Sequence, residues 1–243
     1  MYRFFVNQNQ SNEVVLTGEQ HHHISHVLRM AVEDELELVF ADGTVYLARI
    51  TGISREETVL TVRESIAGHE LPIEVCLCQG LPKSDKMEMI IQKTVELGVT
   101  EILPLQMKNC VVRYDEKKQR SRQERWQKIA ESAAKQSGRD RIPMVRGITT
   151  LERLVAAVED FDLFLVPCEW AQSMAHTREV LNDIRSGMKL AIVIGPEGGF
   201  APEEVRKLEA AGAKTISLGK RILRTETAGM YLLSVLGYLL EEE

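Results

Sequence analysis

Lys189 to Gly219 reads KLAIVIGPEGGFAPEEVRKLEAAGAKTISLG. It opens with a hydrophobic strand, KLAIVIG, and breaks at Gly195-Pro196-Glu197-Gly198-Gly199-Phe200. PEEVRKLEAAG then has the makings of a helix, with Pro202 in its first turn and Gly212 at its end, and TISLG is a second strand. Strand, loop, helix, strand is the repeating unit of a parallel sheet, and loops at the carboxyl ends of such strands are where α/β sheets bind ligands. The three glycines let the backbone approach a ligand closely or adopt positive φ, and Pro196 stiffens the turn. An ordinary tight connection would use the same residues.

The alternation extends on both sides. Upstream, IEVCLCQG is a buried strand and SDKMEMIIQKTVELG a helix, with Ser84 as its N-cap, an apolar face of Met87, Ile90, Ile91 and Val95, and Gly98 beyond its end. EILPLQ is a strand, Asp115 to Ser137 a long basic helix, and a further helix opens at Thr149-Thr150. DLFLVP is a strand, followed by a helix from about Ala171 to Ile184; Thr225 to Leu240 is the last helix. This pattern predicts an α/β domain over residues 73–243 with a mainly parallel sheet covered on both faces. The final helix carries Tyr231, Leu232, Val235, Leu236 and Leu239, which suit either core packing or a dimer interface.

A second glycine-bearing loop, Leu218 to Ala228 (LGKRILRTETA), again joins strand to helix, so the two loops are expected side by side at one sheet edge. Arg224 and Glu226 stand at a helix start, where Thr225 can cap and the dipole favours Glu226; capping plus a local salt bridge would account for them too. There is no GxxxxGK[ST] and no GxGxxG. Glu197 would repel a phosphate, so a cationic or uncharged ligand fits better.

Residues 1–70 follow another rule. Leu36, Leu38 and Phe40, then Val45, Leu47 and Ile50, then Val59, Leu60 and Val62 form short strands separated by turns at Asp42-Gly43 and Ser54 to Glu57. One helix interrupts them: Thr17 to Gln20 has capping-box spacing, and Ile24, Val27 and Leu28 follow on one face. The pattern predicts a small β-barrel with one helix, joined to the α/β domain by a linker at Ala67 to Pro72.

With 44% hydrophobic and 27% charged residues, the chain can build a core in each part. Its N-terminus has no basic region followed by an apolar stretch, and Tyr231 to Leu240, the longest apolar segment, falls well short of the roughly 20 residues of a membrane span. A soluble cytosolic protein is expected. Cys76, Cys78, Cys110 and Cys168 form no CxxC pair and read as reduced thiols; His22 and His26 share a helical face without a third ligand, so no metal is assigned. The net charge of −6 argues against nucleic acid, but Lys108 to Arg146 holds twelve Lys/Arg against five Asp/Glu. Because screening makes electrostatics local, that +7 stretch is either a phosphate-binding surface or a solvated helix face.

IGPEGGF followed by LGKRILRTETA resembles the paired signature of the SPOUT methyltransferases, specifically the ribosomal RNA small subunit methyltransferase E family, which methylates N3 of a uridine in 16S RNA. SDKMEMIIQKTVELGV, HVLRM, and RW followed by AAKQSGR are similar to that family's patterns, and the likeness spans nearly the whole chain. The resemblance implies a trefoil-knotted C-terminal domain, a homodimer, and S-adenosyl-L-methionine bound among the knotted loops. It carries cofactor contacts to Leu165, Val166, Gly195, Pro196, Glu197, Gly198, Gly199, Leu218, Gly219, Leu223, Arg224, Thr225, Glu226, Thr227 and Ala228.

It further implies that residues 1–70 are a PUA-like RNA-binding module and that the partner is ribosomal RNA or the small subunit. Candidate RNA contacts are Arg3, Arg29, Lys83, Lys86, Arg113, Arg125, Arg139 and Arg141. Methyl transfer to N3 of neutral uracil requires loss of a proton. Arg224 is the candidate to orient and stabilise the anionic base, Glu226 to position Arg224 or the cofactor, and Glu197 is the rival proton acceptor. A non-catalytic ribosome-assembly factor and a SPOUT enzyme with another RNA target are the alternatives; the missing phosphate motifs disfavour a nucleotide-using small-molecule enzyme.

Overall fold

A computed structural model describes residues 1–171 and 173–241, so Gln172, in the expected helix after DLFLVP, and residues 242–243 lie outside the described residues. The chain divides into two compact units, one of residues 1–70 with 138–141 and one of residues 71–137 with 142–243.

The first unit contains β1 (Arg3–Phe5), β2 (Glu13–Thr17), α1 (Gly18–His22), β3 (Glu35–Val39), β4 (Val45–Ile53) and β5 (Glu57–Ile66). Its five strands form one sheet in the order β1-β3-β4-β5-β2, with β1 parallel to β3 and the other pairings antiparallel. Alternation in β3 turns Leu36 and Leu38 inward, where they meet Ile24, Ile50 and Leu60 in a fully buried core. Strands β1 and β2 escape a reading based on alternation, being short and rich in polar neighbours.

Two local expectations change. Thr17 is the N-cap of α1 but makes no side-chain cap bond, and Gln20 instead donates to Phe5 O at 2.7 Å, tying the helix to β1. After His22 the helix widens into a π-helical turn, His23–Val27, in which Leu28 N–H bonds to His23 O. The extra residue per turn rotates Val27 out of the expected apolar face, leaving it 58% exposed while Ile24 stays buried.

Residues 138–141 join this unit through buried charges. Asp140 accepts from Arg3 and from His69 N–H, Arg3 also binds Glu37, and Arg139 pairs with Glu70, whose carboxylate also accepts from Asp140 N–H at 2.8 Å. The sequence places residues 138–141 nearly 70 residues beyond the linker, so no local pattern could assign them here.

In the second unit come β6 (Glu74–Gly80), α2 (Lys86–Glu96), β7 (Glu101–Gln106), α3 (Glu116–Ser137), β8 (Met144–Val145), β9 (Thr149–Thr150) and α4 (Leu151–Ala156). They are followed by β10 (Leu163–Pro167), α5 (Met174–Asn182), β11 (Lys189–Ile194), α6 (Pro202–Ala210), β12 (Lys214–Ile216) and α7 (Thr225–Leu240). The sheet runs β12-β10-β11-β6-β7-β8, with β9 also on β7, and every pairing is parallel. Leu190 to Ile194 at its centre are buried on both faces, as a strand covered by helices requires.

Because all strands point one way, the loops after β6, β7, β10, β11 and β12 emerge at the same edge. The helix expected to be capped by Ser84 begins at Lys86 with Asp85 as its N-cap, because the chain passes through a left-handed residue at Ser84 (φ +56°). The four cysteines are free thiols; Cys76 and Cys78 lie on one face of β6 with sulfurs 3.8 Å apart, and burial raises the pKa of Cys110. Among the described residues no helix is long and apolar enough to cross a membrane, and no cluster of three metal-ligating side chains occurs.

Candidate functional site

The site is built where the loops after β11 and β12 meet the starts of α2 and α7. Thr225, buried at the first position of α7, donates its hydroxyl to Gly195 O at 2.6 Å and accepts from Gln79 Nε2 at 2.8 Å. One hydroxyl thereby ties the first glycine loop, the last helix and the end of β6. The strand end and the loop also touch directly: a side chain on Gly80 would lie 2.7 Å from Pro196 N, so only glycine fits.

Lys86 joins the two loops electrostatically. Its Nζ lies 3.1 Å from Glu197 Oε1 and 3.3 Å from Glu226 Oε2. Both Glu197 oxygens also accept from Lys83 N–H, at 3.0 and 3.2 Å. Partial burial works to raise the Glu197 carboxyl, but the backbone N–H groups of Glu197 and Lys83 and the Lys86 ammonium outweigh it and hold it below the usual range. The Lys86 ammonium is held above its usual range, first by Glu197 and, against the cost of desolvation, by Glu226.

Arg224 is the N-cap of α7, with its side chain 80% exposed; its guanidinium is 4.0 Å from Glu226 Oε1, whereas the Glu226 side chain is only 11% exposed. A largely buried carboxylate beside an open guanidinium can steer a cation towards a substrate arriving from solvent. Gly199 (φ +67°) and Gly219 (φ +105°) both occupy the left-handed region, and a side chain at either would meet no atom within 4 Å. The loops therefore leave open space against bare backbone.

The remaining expected cofactor residues are more varied. Leu165 and Val166 are fully buried inside β10, and Leu218, Leu223 and Ala228 are half-buried, while Thr227 is exposed. The candidate RNA contacts divide sharply. Arg3 and Arg139 have side chains only 5% and 4% exposed and are committed to the carboxylates described above. Arg141 lies 3.8 Å from Glu70, Arg125 pairs with Glu88 at 2.7 Å, and Lys86 is held by two glutamates. Arg29, Lys83 and Arg113 are exposed, with no ion pair among the described residues.

Sequence reasoning missed Gln79, Asn109 and Glu204. Gln79 is fully buried with Oε1 unpartnered; Asn109 Nδ2 donates to Gly198 O at 3.1 Å and Gly199 O at 3.2 Å. Glu204 is a buried carboxylate accepting from Lys108 N–H at 2.9 Å and Ala201 N–H at 2.8 Å. The only signal available was their placement, Gln79 at the end of a strand, Asn109 just after one and Glu204 just inside a helix.

The RNA methyltransferase domain family matches residues 69–237, and the RNA methyltransferase PUA domain family matches residues 16–62. Ribosomal RNA small subunit methyltransferase E of Bacillus subtilis is 38% identical over 230 residues, covering 93% of this chain and 90% of that protein. A crystal structure of ribosomal RNA small subunit methyltransferase E from Neisseria gonorrhoeae bound to S-adenosyl methionine is 30% identical, with a TM-score of 0.79 over 99% of this chain and 98% of the other. A putative methyltransferase from Legionella pneumophila, in complex with the same cofactor, is 30% identical with a TM-score of 0.77, over 98% and 97% of the two chains. The chain belongs to the ribosomal RNA small subunit methyltransferase E family.

Proposed function

We propose that this protein transfers the methyl group of S-adenosyl-L-methionine to N3 of a uridine in 16S ribosomal RNA. The carrying observation is the pair of glycine loops at one sheet edge, locked together through Thr225 and Lys86, in a chain similar to relatives solved with that cofactor. The residues present fit the cofactor. Open space lies over the backbone at Gly199 and Gly219, and the buried Gln79 Oε1 lacks a partner and is free to accept from a ligand donor. Gly195 to Gly199, Leu218, Gly219, Leu223 and Thr225 to Ala228 would hold it, with Arg224 open to solvent at their edge and Leu165 and Val166 buried in the strand behind. The cofactor supplies an activated methyl group on a sulfonium.

The protein's own task is to orient the base and to stabilise the charge left when N3 loses its proton. Arg224 is exposed enough to meet a base carbonyl and stands at the helix start with its guanidinium 4.0 Å from Glu226. Glu197 is a weak base, since its carboxylate is held by Lys83 N–H and Lys86, so its role is to shape the loop. Residues 1–70 act as the PUA-like RNA-binding module and residues 73–243 as a trefoil-knotted SPOUT domain. The exposed Tyr231, Tyr238 and Leu239 of α7 are suited to packing against a second copy, making a cytoplasmic homodimer.

Transfer of labelled methyl from S-adenosylmethionine to small ribosomal subunits from cells lacking this protein, followed by nucleoside mass spectrometry, tests the reading. Label in 3-methyluridine is the expected result. Label in another nucleoside overturns the target, and RNA binding without label favours an assembly factor.

A further inference from the structure

The loop at residues 195–200 includes three glycines, so it has few side chains with which to hold a shape, and an unsupported glycine segment gains conformational freedom when released. Within the loop, Gly199 N–H closes a turn on Pro196 O at 2.8 Å. On one side Glu197 is held by Lys83 and Lys86. The other side is held by Asn109, which lies in the connection between β7 and α3 and donates one side-chain amide to the carbonyls of both Gly198 and Gly199.

Asn109 is itself firmly presented. Its turn is closed by Cys110 N–H on Met107 O at 3.2 Å and by Met107 N–H on Cys110 Sγ at 3.3 Å. Lys108 anchors that turn to α6, through its backbone N–H on Glu204 and its ammonium on Glu203. The approach is tight as well: a side chain on Gly198 would come within 3.0 Å of Asn109 Cβ and 3.2 Å of Asn109 O. Two carbonyl acceptors facing one side chain require a donor there. An acceptor oxygen in its place would repel both.

We propose that Asn109 is a positioning residue for the cofactor loop, fixing the Gly198 and Gly199 carbonyls so that the loop keeps its open, cofactor-ready shape before binding. This rests on the reading of residues 195–199 as a cofactor loop. Asn109 touches neither reacting group and acts through the two carbonyls alone.

The test uses the full-length protein, Asn109→Ala and the near-isosteric Asn109→Asp. Affinity for S-adenosylhomocysteine is measured by calorimetry, and hydrogen–deuterium exchange is followed without ligand. Asn109→Ala is expected to weaken binding about tenfold, and Asn109→Asp about a hundredfold because its carboxylate opposes two carbonyl oxygens. Exchange should rise in the peptide spanning residues 195–204 and stay unchanged in β6 and β11.

Unchanged affinity and unchanged loop exchange in both variants overturn the assignment. So does an affinity loss accompanied by raised exchange throughout the sheet, which would make Asn109 a general stability residue. Failure of the unsubstituted protein to bind S-adenosylhomocysteine overturns the cofactor reading instead, while loop exchange still reports whether Asn109 holds the loop.

Discussion

The two glycine loops at the sheet edge are built in opposite ways. The loop after β11 is held from three directions, by Thr225 on Gly195, by Lys83 and Lys86 on Glu197, and by Asn109 on Gly198 and Gly199. The loop after β12 instead presents its residues outward: Lys220, Arg221 and Ile222 are exposed, Ile222 by 80%, and so is Arg224. Preorganisation suits a small ligand that must be gripped by backbone, because shape fixed in advance need not be ordered on binding. Exposure suits a large partner that arrives from solvent. Under the proposed function, the first loop is then the preorganised part of the cofactor site, while the exposed residues of the second, Lys220 to Ile222 and Arg224, are the part that faces the RNA.

The largest expected effect separates those roles. Arg224→Ala should lower methyl transfer roughly a hundred- to a thousandfold, while S-adenosylhomocysteine affinity stays within about threefold. Loss of cofactor affinity with little specific loss of turnover would erase the distinction between the loops. Next, Thr225→Val strips a buried hydroxyl that serves two partners, leaving Gly195 O without its donor and Gln79 Nε2 with Gly80 O as its remaining acceptor. Urea denaturation should register a loss of about 2 kcal/mol; a neutral result would mean the first loop is not held through Thr225.

Lys86→Met keeps the apolar stem but removes the cation that Glu197 and Glu226 share. Cofactor affinity should fall about tenfold, and Lys86→Arg should recover part of it. Equal losses in both variants would deny Lys86 its bridging role. The smallest effect concerns pH. The Glu197 carboxyl is held below its usual range in the folded protein, so its contribution to stability is present above that range and disappears as pH falls through the folded value. Glu197→Gln should therefore make the acid limb of the stability–pH curve shallower, by less than about 1 kcal/mol after solvent screening. An acid limb unchanged from that of the unsubstituted protein would show that the Lys83 and Lys86 contacts do not persist in solution.

Much of the second unit was legible because its signals are local. KLAIVIG, the glycine loop and the helix between Pro202 and Gly212 carry their own boundaries, and α2 displays Met87, Ile90, Ile91 and Val95 on one buried face. Ser84 and Val27 were misjudged where backbone geometry departs from the regular helix, at a left-handed residue and a π-helical turn. Lys86, Arg3 and Arg139 were all expected at an RNA surface, and each is held by carboxylates instead. Gln79 and Asn109 drew no attention, since an amide side chain carries no charge pattern or period of its own.

The sequence by itself determined the alternation of strands and helices, the positions of the two loops and the family to which they point, because periodicity, turn chemistry and a glycine signature act over a few neighbouring residues. Only the tertiary structure decided which charges face solvent and which hold the site together. Lys83 and Glu197 are 114 residues apart, and Thr225 and Gln79 are 146 apart. A hydrogen bond or ion pair depends on distance in space, and the parallel sheet alone brings those residues to one edge.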